Sequence, residues 1–100
     1  MEQVYVGTKL KYAITVASPG FNIAENDLRV EIRRGGRSII LNKDDLIVDE
    51  NDQYYVCFDS AELGSGKVEA IITAFVPDDD FIDGIRTEVT KIDLVNLRSA

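Results

Sequence analysis

The sequence predicts an all-β chain, folded as a two-layer sandwich of about seven short antiparallel strands with one short helical turn. Three observations lead there. Apolar residues recur at every second position in segment after segment, which places them on one face of an extended strand. Clusters of glycine, proline, asparagine and aspartate separate those segments at short intervals. A chain of 100 residues, 45% hydrophobic and 29% charged, has material for one buried core, so residues 1–100 are read as a single domain.

The first alternating segment sets Leu10, Tyr12, Ile14 and Val16 against Lys9, Lys11, Ala13 and Thr15. That is the pattern of a half-buried strand. Ser18-Pro19-Gly20 closes it with a turn, because proline fixes φ and glycine admits positive φ. Next, Leu28, Val30 and Ile32 alternate with Arg29, Glu31 and Arg33, and Ile39 and Leu41 follow the pair Gly35-Gly36. A two-residue loop at the glycines pairs Arg34 with Arg37, Ile32 with Ile39 and Val30 with Leu41. Both apolar pairs then share a face. A slip of one residue would turn one strand's apolar set outward, so pattern and turn fix the register together.

Leu46-Ile47-Val48 reads as a short strand and Asp49-Glu50-Asn51-Asp52 as a polar turn. Over 53–58, Tyr54, Val56 and Phe58 share one face while Tyr55 and Cys57 share the other, the pattern of a strand central in its sheet or covered on both sides. Asp59 with Glu62 resembles a capping box, and Gly64 suits a left-handed helix end. Residues 59–64 are therefore expected to form one helical turn that crosses between sheets, with Leu63 pointing inward. Val68, Ala70, Ile72, Ala74 and Val76 mark the next strand, which ends at Pro77. After the loop 78–84 a last strand runs from about 85 to 97, and its parity breaks between Val89 and Ile92. The break predicts a β-bulge near Thr90-Lys91. About seven strands separated by turns is the count of an immunoglobulin-like sandwich.

Composition removes several function classes. A formal charge of −7 opposes general binding to nucleic acid, whose phosphates demand clustered lysine and arginine. Without histidine there is no histidine-dependent triad or histidine metal site, and the single Cys57 excludes an internal disulfide and a multi-cysteine zinc site. No apolar run approaches the roughly 20 residues of a helical membrane span. The first residues lack the basic start and apolar stretch of a secretory signal. Cytoplasmic synthesis, no membrane contact and no cofactor are the expectations.

Four features invite a chemical reading. Asp78, Asp79, Asp80 and Asp83 crowd one loop, and calcium favours clustered carboxylates. Aligning Gly84 with the glycine of an EF-hand loop puts Phe81 and Thr90 where the third and twelfth ligands belong, so that pattern fails. A calcium site of another kind is weighed against a solvated loop pinned by burial of Phe81 and Ile82. Carboxylate pairs can serve glycoside hydrolysis, but with 18 acidic residues some pair lies close by chance, and such folds use larger scaffolds. A non-enzymatic chain is expected. Cys57 has no histidine to activate it and is read as a small buried hydrophobe. Arg34 and Arg37 face each other at the hairpin tip, a like-charge pair that a partner's carboxylates or phosphates would relieve; the alternative is a solvated tip. Ile40, Tyr55, Ile71 and Phe75 lie opposite the main apolar sets. Clustered, they would form a patch for self-association or a neighbouring subunit; otherwise they pack under loops.

Three segments, "LRVEIRRGGRSIIL", "YYVCFDSAELGSGKVEA" and "VPDDDFIDGIRTEV", carry a resemblance. The chain resembles small β-sandwich proteins of phages and prophages of gut bacteria, in the style of the immunoglobulin-like domains of phage baseplates and tails. The likeness runs from about residue 7 to residue 97 and is most specific over 59–66 and 77–89. It brings no catalytic residues. It implies a structural or assembly module, a virion component of tail or baseplate type, whose partners are proteins: further copies in a homo-oligomer, or other virion subunits. The rival class is a ligand-binding module for calcium or carbohydrate at the acidic loop, and the absence of tryptophan weakens its carbohydrate version.

Overall fold

Alternation and a glycine turn do decide the best-marked pairing. In the computed structural model, which describes residues 2–99, strands Leu28–Arg34 and Arg37–Asn42 pair antiparallel with Arg34 opposite Arg37, Ile32 opposite Ile39 and Val30 opposite Leu41. Gly35 takes φ +54 while Gly36 is not in the positive-φ region. That is the pattern of a type II′ turn, whose twist matches the flanking strands.

Eight strands are present among the described residues: β1 (Glu2–Tyr5), β2 (Lys9–Ile14), β3 (Leu28–Arg34), β4 (Arg37–Asn42), β5 (Ile47–Val48), β6 (Tyr54–Asp59), β7 (Gly66–Pro77) and β8 (Ile85–Arg98). They form two sheets, a five-stranded one ordered β1-β8-β7-β3-β4 and a three-stranded one ordered β2-β6-β5. One core joins them. Val30, Ile32, Val68 and Ile72 from the larger sheet meet Ile14, Val56 and Phe58 from the smaller, all at most 7% exposed. Each such side chain contributes about 1.5–3 kcal/mol relative to exposure. No helix among the described residues is long and apolar enough to cross a membrane.

The crossing from β6 to β7 forms as the single turn that the sequence indicates, but Asp59 caps it alone and not as a capping box with Glu62. A 3-10 turn at Ser60–Glu62 starts with the Asp59 carboxylate accepting the Ala61 N–H at 2.9 Å, and Leu63 is fully buried behind it. Buried Ser60 ties down the N-terminal segment: its hydroxyl accepts the Gly7 N–H at 2.9 Å and its N–H donates to the Thr8 carbonyl at 3.1 Å.

Three expectations are corrected. Eight strands replace about seven, and they are not all antiparallel, because β1 runs parallel to β8 with Val4 opposite Leu97. Four residues are too few for a period of two to declare itself. A second 3-10 turn at Lys43–Asp45 adds to the one expected, closed by a capping box in which the Asp45 carboxylate accepts the Asn42 N–H at 2.9 Å. The bulge lies elsewhere too. Val68 pairs with Val95 but Glu69 with Asp93, which leaves Leu94 as the extra residue. The parity break upstream has another cause, since Val89 is no core residue: it points outward, 63% exposed.

Candidate docking surface

Register places the outward face of the five-stranded sheet residue by residue. One row across β4, β3, β7 and β8 reads Ile40, Glu31, Ile71, Lys91 and the next reads Asn42, Arg29, Thr73, Val89. Beyond them Phe75 lies opposite Thr87 and Pro77 opposite Ile85. Side chains alternate across a strand, so all of these are on the side away from the core. Ile71 and Phe75 are half-buried by their neighbours, while Ile40 is 50% and Val89 63% exposed. Ile71, Phe75, Ile85 and Val89 thus make an apolar strip along the β7–β8 hairpin. At its end the loop tip exposes Phe81 (48%) and Ile82 (110%).

Charges of both signs flank this strip, basic ones slightly in excess. Arg29, Arg33, Lys67 and Lys91 share the face with Glu31, Glu69 and Asp93. Lys91 reaches Glu69 at 2.8 Å and Lys67 reaches Asp93 at 3.3 Å, both solvated pairs of small energetic weight. The −7 of the chain therefore resides elsewhere.

The structure splits the expected apolar set. Ile40, Ile71 and Phe75 share a face, but Tyr55 belongs to β6 in the other sheet and points outward on the opposite side. It is engaged there: its hydroxyl donates to the Asp49 carboxylate at 3.0 Å, and the Lys11 ammonium sits 4.5 Å from its ring centroid. The Asp49 contact holds the Tyr55 phenol above its ordinary pKa. In turn the N–H of Gln53, then that of Asn51 and the Tyr55 hydroxyl, hold Asp49 below the usual carboxylate range.

Arg34 and Arg37 stay side by side over the crossing turn, where a Cβ on Gly64 would meet both guanidinium groups, at 3.2 and 4.0 Å. The Arg34 Nε donates to the Leu63 carbonyl at 2.8 Å, and its side chain packs on the bend 64–66 so closely that a Cβ on Gly66 would sit 2.7 Å from its Cδ. Arg34 staples the hairpin tip to the crossing turn. Arg37 is exposed.

In the acidic loop each carboxylate has a local task or faces water. Asp78 binds the Arg86 guanidinium at 2.6 Å and accepts the Asp80 N–H at 3.0 Å, and Asp83 accepts the Ile85 N–H at 3.1 Å. The Asp80 N–H foremost, then Arg86, keep Asp78 below the usual carboxylate range. Asp79 and Asp80 are exposed, and among the described residues no three acidic or thiol groups converge on a metal-sized point. The expected burial of Phe81 and Ile82 is wrong. Local turn bonds hold the loop instead, with the Gly84 N–H donating to Phe81 and the Asp78 N–H to Gly84, both at 2.9 Å. Cys57 is exposed on the outer side of β6, not buried.

A cleft of about 240 Å³ between residues 15–18 and Ile72, Ala74, Thr90 and Ile92 has Glu88 as its one carboxylate. Sequence reasoning missed Ile85 and Val89 as surface residues, though a signal existed. Residues 71, 73 and 75 of β7 face odd-numbered residues of β8, which places 85, 87 and 89 on their side. Comparison with protein-family models, with curated proteins and with solved structures finds no match to this chain.

Proposed function

We propose that the chain is a non-enzymatic assembly module, a β-sandwich that associates with further copies of itself through the outward face of its five-stranded sheet. The observation that carries this reading is the apolar strip of Ile71, Phe75, Ile85 and Val89, half-buried at the first two and open to water at the last two, beside a fully formed core. The near balance of charge on that face supports it, since two copies can approach there without the repulsion a net −7 would otherwise impose.

The reading includes an immunoglobulin-like sandwich. Lettered in chain order, G-F-C-C′ and B-E-D are strand groups of that fold, while the first strand, A, pairs with G here and not with B; no disulfide joins the sheets. The sequence resemblance extends the proposal to a structural component of a phage or prophage particle, working by packing and symmetry. Light scattering on Val89→Lys tests the function. A lysine at the most exposed point of the strip should reduce the oligomer to smaller species with the circular dichroism spectrum unchanged. An unchanged oligomer would refute the face.

A further inference from the structure

We infer that β4 forms a second self-association surface, pairing edge to edge and antiparallel with β4 of another copy. The inference rests on the self-association reading above and adds a distinct patch to it. β4 is an outer strand, hydrogen-bonded to β3 on one side only. The two-residue turn fixes which of its amides are used. Arg34 and Arg37 flank the turn as a hydrogen-bonded pair, and so, two and four residues on, do Ile32 with Ile39 and Val30 with Leu41. The backbone groups of Ser38, Ile40 and Asn42 therefore point away from the sheet. The Asn42 N–H agrees with this phase, since it is met from outside by the Asp45 carboxylate. Among the described residues, Ser38 and Ile40 make no backbone hydrogen bond beyond the strand pair.

Other edges of the two sheets are short or charged and this one is not: β1, at the far edge of the same sheet, has only four residues. β2 carries Lys9 and Lys11, and β5 has two residues. The interior of β4, Ser38-Ile39-Ile40-Leu41, has neither charge nor proline. Its charges lie at the ends and have opposite signs. Arg37 begins the strand, and exposed Asp44 and Asp45 follow it. Lys43 does not cancel them, because its ammonium is drawn back onto the carbonyls of Ala24 at 3.1 Å and Asn26 at 2.9 Å.

These facts select the occupant. A second copy related by a two-fold axis at Ile40 brings each basic end over the other's acidic end. Ile40 then lies opposite Ile40 of the second copy, continuing the outward row of Ile71 and Glu31 into the neighbour. Each copy donates two bonds, Ile40 N–H to the Ile40 carbonyl and Ser38 N–H to the Asn42 carbonyl of the other.

Sedimentation of full-length variants tests the pairing. Ile40→Pro removes an N–H that serves no bond within the chain, so the fold should survive while dimerisation weakens at least 100-fold; Ser38→Pro is the second variant should the first misfold. Arg37→Glu and Asp44→Arg should each weaken association about tenfold, and combining them should restore it to within threefold. If Ile40→Pro and Ser38→Pro associate like the native chain while Val89→Lys dissociates, the edge is refuted and the face stands. If the edge variants dissociate and Val89→Lys does not, the edge stands and the face is refuted. A native chain that stays monomeric at millimolar concentration overturns both.

Discussion

Leu63 sits at the one crossing where the chain passes through a 3-10 turn from the smaller sheet to the larger, and replacing it with alanine measures how far that crossing belongs to the core. The side chain is fully buried, and its own carbonyl receives the Arg34 guanidinium. Leu63→Ala deletes three carbons, about 2.4 kcal/mol of transfer free energy at about 0.8 kcal/mol each. A cavity cost of about 24 cal/mol per Å³ of unfilled space adds to that. The local backbone is held by the Asp59 cap and by Ser60, so it has little freedom to collapse, and a loss of about 3 kcal/mol follows. For a domain of this length that is a drop of about 12–24 °C in Tm. Urea titration followed by circular dichroism is the assay, with the midpoint shifted and the slope unchanged. Glu62→Ala, one residue earlier and exposed, is the control and should stay within about 0.5 kcal/mol. A loss below about 1 kcal/mol for Leu63→Ala would show that the turn is a surface loop and the reasoning wrong.

Gly66→Ala should destabilise by about 1–3 kcal/mol, because φ +133 strains any side chain and the new Cβ would sit 2.7 Å from the Arg34 Cδ. In an Arg34→Ala background the steric part disappears, so thermal melts of the double-mutant cycle should show the two changes costing less together than their sum; strict additivity would deny the contact. Asp78→Asn probes the acid limb. The folded state holds Asp78 below its ordinary pKa, so its contribution is complete above the unfolded value near 4 and fades as pH falls toward the folded value. The variant should melt lower at neutral pH and lose less Tm than the native chain as pH drops below about 4. An acid limb identical to the native one would remove Asp78 from the account of acid stability.

Wherever an apolar period met a marked turn, the sequence disclosed the fold. The β3–β4 register, the central place of β6 and the inward Leu63 all follow from side-chain alternation plus glycine or aspartate chemistry at the turns. What stayed hidden depends on neighbours distant in sequence. Arg34 finds its partner at Leu63, 29 positions away, and no local pattern encodes that reach. Tyr55 shares parity with an outward face, but parity cannot say which sheet owns the face. Val89 is apolar and β-branched, as core strand residues are, and only its pairing with Thr73 turns it outward. Cys57 and the Phe81-Ile82 pair misled for the same reason: an apolar side chain promises burial only when something lies opposite to bury it.

The decisive measurement is sedimentation velocity on the native chain from micromolar to millimolar concentration, run beside Val89→Lys. A sedimentation coefficient that climbs to a defined multimer for the native chain, and to a smaller species for the variant, is the expected result. One concentration-independent monomer boundary shared by both would mean that the open apolar face holds no second copy.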